Sequence, residues 1–444
     1  MTGSLLLKGG TVLTMNTKRE VLSGDVLIKD GMIAAVGEAL NENPGQVDRV
    51  VDIEGCYVLP GFIQTHVHLC QTLFRGQVEY VGLGKWLERT WNLEAAHDPR
   101  SMYYSAMLGC CELLKSGTTC ILDMGSVHHE DQVFQALSES GMRAFAGKAM
   151  MDRGDNVPPG LKESTRESIE ETTSLISRWH GANADRLRYA PAPRFMESCS
   201  EELLRAVSEK ARELNLLIHS HASETEEELN GCRSEHGMSP LAFLHSIGLT
   251  GKHVVLAHCV HLEAEDFRIL SETQTKVAHC PSSNLKLSSG IADVGRMLRS
   301  GVKVSLGCDG APCNNNLDMV CEMRQAALLQ RYVNTDEFNW AQVFLEAATL
   351  GGAGALALDD TIGSIEPNKR ADIIAIDMSR THTFCGEPCE PSARLVFSAK
   401  GSDVKLVIVD GRVLLENGSL TELDEKEIVA KSSEEFKKLA SRCS

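Results

Sequence analysis

Residues 60–69 read PGFIQTHVHL, an apolar run that closes on His66 and His68. Side chains along a strand repeat every two residues, so both imidazoles leave one face and can share a cation. The run is also the end of CYVLPGFIQTH, the first of eight strand candidates. The others are TTCILDMG, RAFAGKAM, RLRYAPAP, NLLIHSHA, HVVLAHCV, TKVAHCPS and VKVSLGCDG. Helix-length amphipathic stretches lie between them, such as EELLRAVSEKAREL, with Ser200 as its expected cap and Glu201 and Glu202 suiting the helix dipole. Eight βα units predict an α/β fold in which a closed (β/α)8 TIM barrel spans residues 56–360.

Outside that span the rhythm changes. Residues 4–53 and 362–418 carry short β-branched runs separated by turns, among them DVLIKDGMIAAVG and VKLVIVDGRVLLENG. The two ends, 1–55 and 361–444, are expected to form one small composite β-sandwich domain, followed by a charged tail around EKEIVAKSSEEFKKLA.

Composition narrows the function classes. The 444 residues are 43% hydrophobic and 24% charged, as in folded soluble proteins. A net charge of -17 argues against a nucleic-acid partner, because such affinity rests on Lys and Arg neutralising phosphates. No apolar run of ~20 residues is present to span a membrane, and the N-terminus lacks the pattern of a secretory signal. The fifteen cysteines are an odd number without close repeated spacing, and read as reduced core residues. The expected location is the cytoplasm.

A barrel of this kind builds its site at the carboxyl ends of its strands. His66 and His68 close the first strand, His221 the fifth, His258 the sixth, His279 the seventh and Asp309 the eighth. Taken alone, each has an ordinary reading: Asp309 could cap the turn before Gly310, and His258 could be a hydrogen-bonded core histidine. Glu224 could open an exposed helix with Glu226, Glu227 and Glu228 as solvated neighbours. Their coincidence at one rim favours chemistry. His219 shares the strand face of His221, so spacing alone leaves two ligand candidates on the fifth strand. His97, His128, His129 and His180 fall elsewhere and receive no role.

The set PGFIQTHVHL, HASETEEE, VLAHCVHL, HCPSSNLKLSSGIA and LGCDGAPCNN resembles the amidohydrolase superfamily. The closer likeness is to its mononuclear deaminase branch, with methylthioadenosine, S-adenosylhomocysteine and 5′-deoxyadenosine deaminases, guanine deaminase and s-triazine hydrolases. The likeness extends to GSIEPNKRADIIAID near the end. It implies that His66, His68, His221 and Asp309 bind one divalent metal per subunit, zinc first and iron as the alternative. The family places this ligand three residues before the acid, which selects His221 and leaves His219 behind it or in the core. Glu224, His258 and Asp309 are then catalytic, in a hydrolysis that exchanges a ring amine for a carbonyl and releases ammonia. Lys148 ends the third strand, where the binuclear branch carries a bridging lysine, and the motif set matches the other branch.

Substrate-binding candidates are Gln71, Trp86, Arg194, Phe195, His279 and Cys313. Gln71 and the APRF segment resemble guanine deaminase, where a glutamine and an arginine hold an oxopurine. Trp86 resembles the aromatic residue beside the ligand in adenosine-type members, although a core anchor is the plainer reading. Lys85 stands where many of those members have an acid, and Cys313 where they often have serine. HLCQTLFRG, APRF and DGAPCNN together resemble 5′-deoxyadenosine deaminases. The expected partners are therefore a small heteroaromatic substrate and water, with an adenine nucleoside as the first choice and guanine or an s-triazine as the alternative. A homo-oligomer is common among the relatives. A noncatalytic barrel protein is the third hypothesis, disfavoured because the ligand set and Glu224 are intact.

Overall fold

A computed structural model describes residues 3–40, 47–335, 338–386 and 389–443. Residues 1, 2, 41–46, 387, 388 and 444 of the expected end domain lie outside that description.

The central residues form the expected barrel. Its strands begin with Phe62–His68, Thr118–Met124, Arg143–Gly147 and Leu187–Tyr189, the third and fourth continuing as Ala149–Met150 and Ala192–Pro193. They go on with Ile218–Ala222, Val254–His258, Lys276–His279 and Lys303–Leu306, the last continuing as Asp309–Gly310. Neighbouring pairs are parallel, and Asp309 and Gly310 pair with Val67 and His68, which joins the last strand to the first. The fourth and fifth strands meet through amides of His219 and His221 donating to the carbonyls of Pro191 and Arg194. Most of these strands are buried along their length, which is why they read as continuous apolar runs rather than alternating ones. Gly307 is required by close approach: a Cβ there would lie 2.6 Å from the His66 carbonyl oxygen.

The helices are set by local signals. Ser200 accepts from the Leu203 amide at the head of Glu201–Leu214, as its sequence predicts. Asp98 and Ser164 close capping boxes ahead of Pro99–Lys115 and Thr165–Trp179.

Both chain ends join a single nine-stranded mixed sheet, in which Ser4–Leu13, Val21–Lys29 and Met32–Gly37 meet Ile373–Asp377, Val404–Val409 and Arg412–Glu416. The seam is Cys56–Pro60, which runs parallel to Ser4–Leu13 and antiparallel to Ile373–Asp377. The stretch read as one strand, CYVLPGFIQTH, is thus two: its first half belongs to the end sheet and its second half to the barrel, divided at Gly61. Arg143 on the third barrel strand ties the two parts together by donating to both oxygens of Asp372 at 2.7 and 3.0 Å. The charged tail is a helix, Glu425–Arg442, whose Leu439 packs on Leu73 and Phe74 beside the barrel rim.

Eleven of the thirteen free cysteines are buried, as expected for small core residues. Cys385 and Cys389 depart from that expectation, being joined as a disulfide four residues apart. Among the described residues no helix is long and apolar enough to cross a membrane.

Candidate metal centre and active site

Five side chains from four strand ends converge at the carboxyl rim of the barrel, and hydrogen bonds fix which atom each presents. His219 donates its Nδ1 proton to the Val255 carbonyl at 3.1 Å, so its Nε2 accepts from His66 Nδ1 at 2.7 Å. His68 Nδ1 donates to Met124 O at 2.8 Å, and His221 Nδ1 to Arg194 O at 2.7 Å. All three rings are therefore Nδ1–H tautomers whose Nε2 lone pairs face the centre. Those Nε2 atoms lie within 4.8 Å of one another. Asp309 Oδ1 sits 3.3 Å from both His66 and His68 Nε2, while Ser283 donates to its Oδ2 at 2.6 Å.

This arrangement fits a divalent cation. Buried His66 Nε2 has no hydrogen-bond partner, and burial drives the His68 ring down to about 3, so it stays neutral and can ligate. His219, the competing candidate, is spent on orienting His66. Lys148 is also excluded from the centre, since its buried ammonium donates to Glu163 and Glu171.

Glu224 and His258 stand on one side of this set, 3.7 Å apart. His258 Nδ1 donates to Asn284 Oδ1 at 2.8 Å, which leaves its Nε2 facing the Glu224 carboxylate. Burial raises the Glu224 carboxyl above its ordinary value. Burial opposes charge on His258, but Glu224 and Asp309 outweigh it and hold the ring above the usual imidazole value. Ser223, His258 and Asp309 all have left-handed backbone, with φ of 53°, 71° and 62°. Such non-glycine strain costs on the order of 1 kcal/mol each and concentrates where side-chain aim matters.

Glu228, expected as a solvated neighbour, is instead buried beneath this turn. It is the third residue of the helix capped by Thr225, and its two oxygens accept from the Ser223 and Glu224 amides at 3.0 and 2.6 Å. The carboxylate thus holds the backbone that aims Glu224. Glu228→Gln turns one acceptor into a donor facing an amide, and is expected to lower kcat on the order of tenfold. Steady-state kinetics would refute this role if kcat were unchanged while Glu228→Ala stayed folded.

The cavity before the donors is lined by Gln71, Trp86, Arg194, Phe195 and Cys313. Trp86 is buried against Leu287 and Cys313, so it is at once a core anchor and a wall of the cavity. Phe195 lies edge-on to His221 and stacks on Trp91. His279 does not line the cavity; its ring is tilted by 33° against Phe344 at 6.2 Å, and both its nitrogens are buried without a hydrogen-bond partner among the described residues.

Arg194 is not a free cation. Its guanidinium donates to both oxygens of Glu94 at 2.7 and 2.9 Å, and Gln71 Nε2 donates to the same carboxylate at 2.7 Å. Burial alone would raise the Glu94 carboxyl, but Arg194 outweighs that and keeps it ionised. Gln71 Oε1 is left buried and unpartnered, as an acceptor. Glu94 was missing from the sequence reading, although it lies eight residues after Trp86 on Leu83–Ala95, on the same helix face. Glu94→Ala would strand a buried guanidinium and is expected to cost about 3–5 kcal/mol. Denaturant unfolding would count against the pair's importance if the loss were under ~1 kcal/mol.

The amidohydrolase family model matches residues 57–414.
The chain belongs to the amidohydrolase family.
It is 41% identical over 429 residues to the 5′-deoxyadenosine deaminase of Methanothermobacter thermautotrophicus, covering 96% of each chain. It is 37% identical to the 5-methylthioadenosine/S-adenosylhomocysteine deaminase of Moorella thermoacetica, over 98% of this chain and 100% of that one. A crystal structure of an adenosine deaminase from Xanthomonas campestris with bound zinc superposes with a TM-score of 0.92 at 29% identity, covering 98% of each chain.

Proposed function

We propose that this amidohydrolase is a hydrolytic deaminase of an adenine nucleoside, such as 5′-deoxyadenosine, methylthioadenosine or S-adenosylhomocysteine. Water replaces the exocyclic amine, giving a ring carbonyl and ammonia. The observation that carries this reading is the pairing of Glu224 and His258 beside four convergent ligand atoms, in a chain whose full-length relatives are deaminases.

His66, His68, His221 and Asp309 would hold one divalent cation, with zinc favoured by imidazole nitrogens and a carboxylate oxygen. Such a cation lowers the pKa of bound water from ~15.7 towards ~7. Glu224 takes a proton from the attacking water and delivers it to the ring nitrogen beside the amine-bearing carbon, then to the leaving amine. Burial raises its carboxyl above the ordinary value, which favours its holding a proton between the two transfers. His258, held by Asn284, aims Nε2 at the charge that develops on the tetrahedral centre. Trp86 and Phe195 flank the flat heterocycle, and Gln71 Oε1 accepts from a substrate N–H or O–H.

Arg194 bears on the guanine alternative. With its guanidinium neutralised by Glu94, it is poorly placed to bind a ring carbonyl. Ammonia release from metal-loaded protein with the three nucleosides and guanine tests the reading. Deamination of an adenine nucleoside at the higher kcat/KM supports it. A preference for guanine, or no turnover of any adenine nucleoside, ends it.

A further inference from the structure

Asp309 and His258 come from different strands, yet the groups that hold them meet on one buried carboxylate. Ser283 donates to Asp309 Oδ2 at 2.6 Å, and Asn284 Oδ1 accepts from His258 Nδ1 at 2.8 Å. Both holders lie on the short helix Pro281–Lys286. The Ser282 amide, at the start of that helix, donates to Glu322 Oε2 at 3.4 Å. The other oxygen of Glu322 accepts from Asn314 Nδ2 at 2.5 Å, and the same Nδ2 donates at 3.0 Å to the carbonyl of Cys308, one residue before Asp309.

Glu322 is 1% exposed and opens the helix Met319–Val333, which gives no side chain to the cavity. Burial pushes its carboxyl up to about 7, and the bonds from Ser282 and Asn314 act against that rise. A carboxyl group is costly to bury, so its place between these two donors calls for a reason. The backbone of Asp309 supplies one. With φ of 62° on a non-glycine residue, it holds a conformation that persists only where the segments around it impose it. Lys286 ties the same two segments a second time, donating to the Pro312 carbonyl at 2.9 Å and to Asn315 Oδ1.

We propose that Glu322 is a positioning residue for both Asp309 and His258. It fixes the strand end that carries Asp309 against the helix that carries Ser283 and Asn284, and so aims the ligand oxygen and the His258 ring together. The part concerning Asp309 rests on the metal site, and the part concerning His258 on the deaminase reading above.

Two variants of the full chain test it. Glu322→Gln keeps the volume and turns one acceptor into a donor that faces another donor. Asn314→Ala cuts the link at a partly buried residue, where folding is less at risk. Loss of a group that orients ligands costs ~10–100-fold in metal affinity or activity. Each variant is expected to raise the zinc Kd, read by chelator competition, about tenfold. Zinc-saturated variants should lose about tenfold in kcat on 5′-deoxyadenosine, with KM little changed. The double variant should lose no more than the worse single one, because both residues act through one link. A zinc Kd equal to the parent's in the folded variants overturns the inference. So does a rise in KM at constant kcat, or losses that multiply in the double variant. No turnover by the parent protein overturns the deaminase reading alone, since zinc affinity is measured without substrate.

Discussion

Glu224→Gln is expected to lower kcat by about 10³-fold, near the middle of the ~10²–10⁴ range for a positioned proton carrier. That is a rise of about 4 kcal/mol in the barrier. The substitution keeps the shape of the side chain and removes its ability to take a proton. Metal content should stay at the parent value, since Glu224 lies beside the ligand set and not in it. KM should change little if the carboxylate acts mainly on the transition state. A variant whose kcat stays within a few-fold of the parent would remove Glu224 from the reaction. Glu224→Asp, which retains a proton carrier but withdraws it from the ring, should fall between the two.

Removal of the metal is the other large effect. Dialysis against a chelator is expected to abolish activity, and one equivalent of zinc per chain to restore it. The unfolding midpoint should rise on reloading, because a ligand that binds only the folded state adds about 2.7 kcal/mol at a hundred times its Kd. Asp309→Ala should lose both responses, since it deletes the carboxylate that lies 3.3 Å from two imidazoles. Full activity after chelation, or two metals per chain in the active form, would refute the mononuclear site. Lys148→Met should leave the stoichiometry at one, as its ammonium is bound to Glu163 and Glu171.

Much of the site was legible because its signals are local. HVH places two imidazoles on one strand face by periodicity alone, and strand ends share a rim in any closed parallel barrel. Choosing His221 over His219 needed the family motif, and the structure supplies the reason: the chain of tautomers from Val255 O through His219 to His66. The seam at Gly61 was hidden because apolar residues run without a break from the end sheet into the barrel. The cysteine reading failed at Cys385 and Cys389, where pairing depends on the path of a turn.

Gln71 and Arg194 illustrate the other limit. Their types suggested direct contacts with a ring, yet both donate to Glu94, a residue that is remote in sequence from Arg194 and meets it only in the folded barrel. Glu228 shows the same effect at short range, since three consecutive acids at a helix start look equally solvated until the turn before them folds back. The sequence by itself determined the barrel and the residue types at its strand ends through strand period, and the ligand set and reaction class through its likeness to the amidohydrolases. Only the tertiary structure decided which polar groups are already satisfied by one another and which remain free for a substrate, because hydrogen-bond satisfaction in a buried site depends on partners brought together from distant segments.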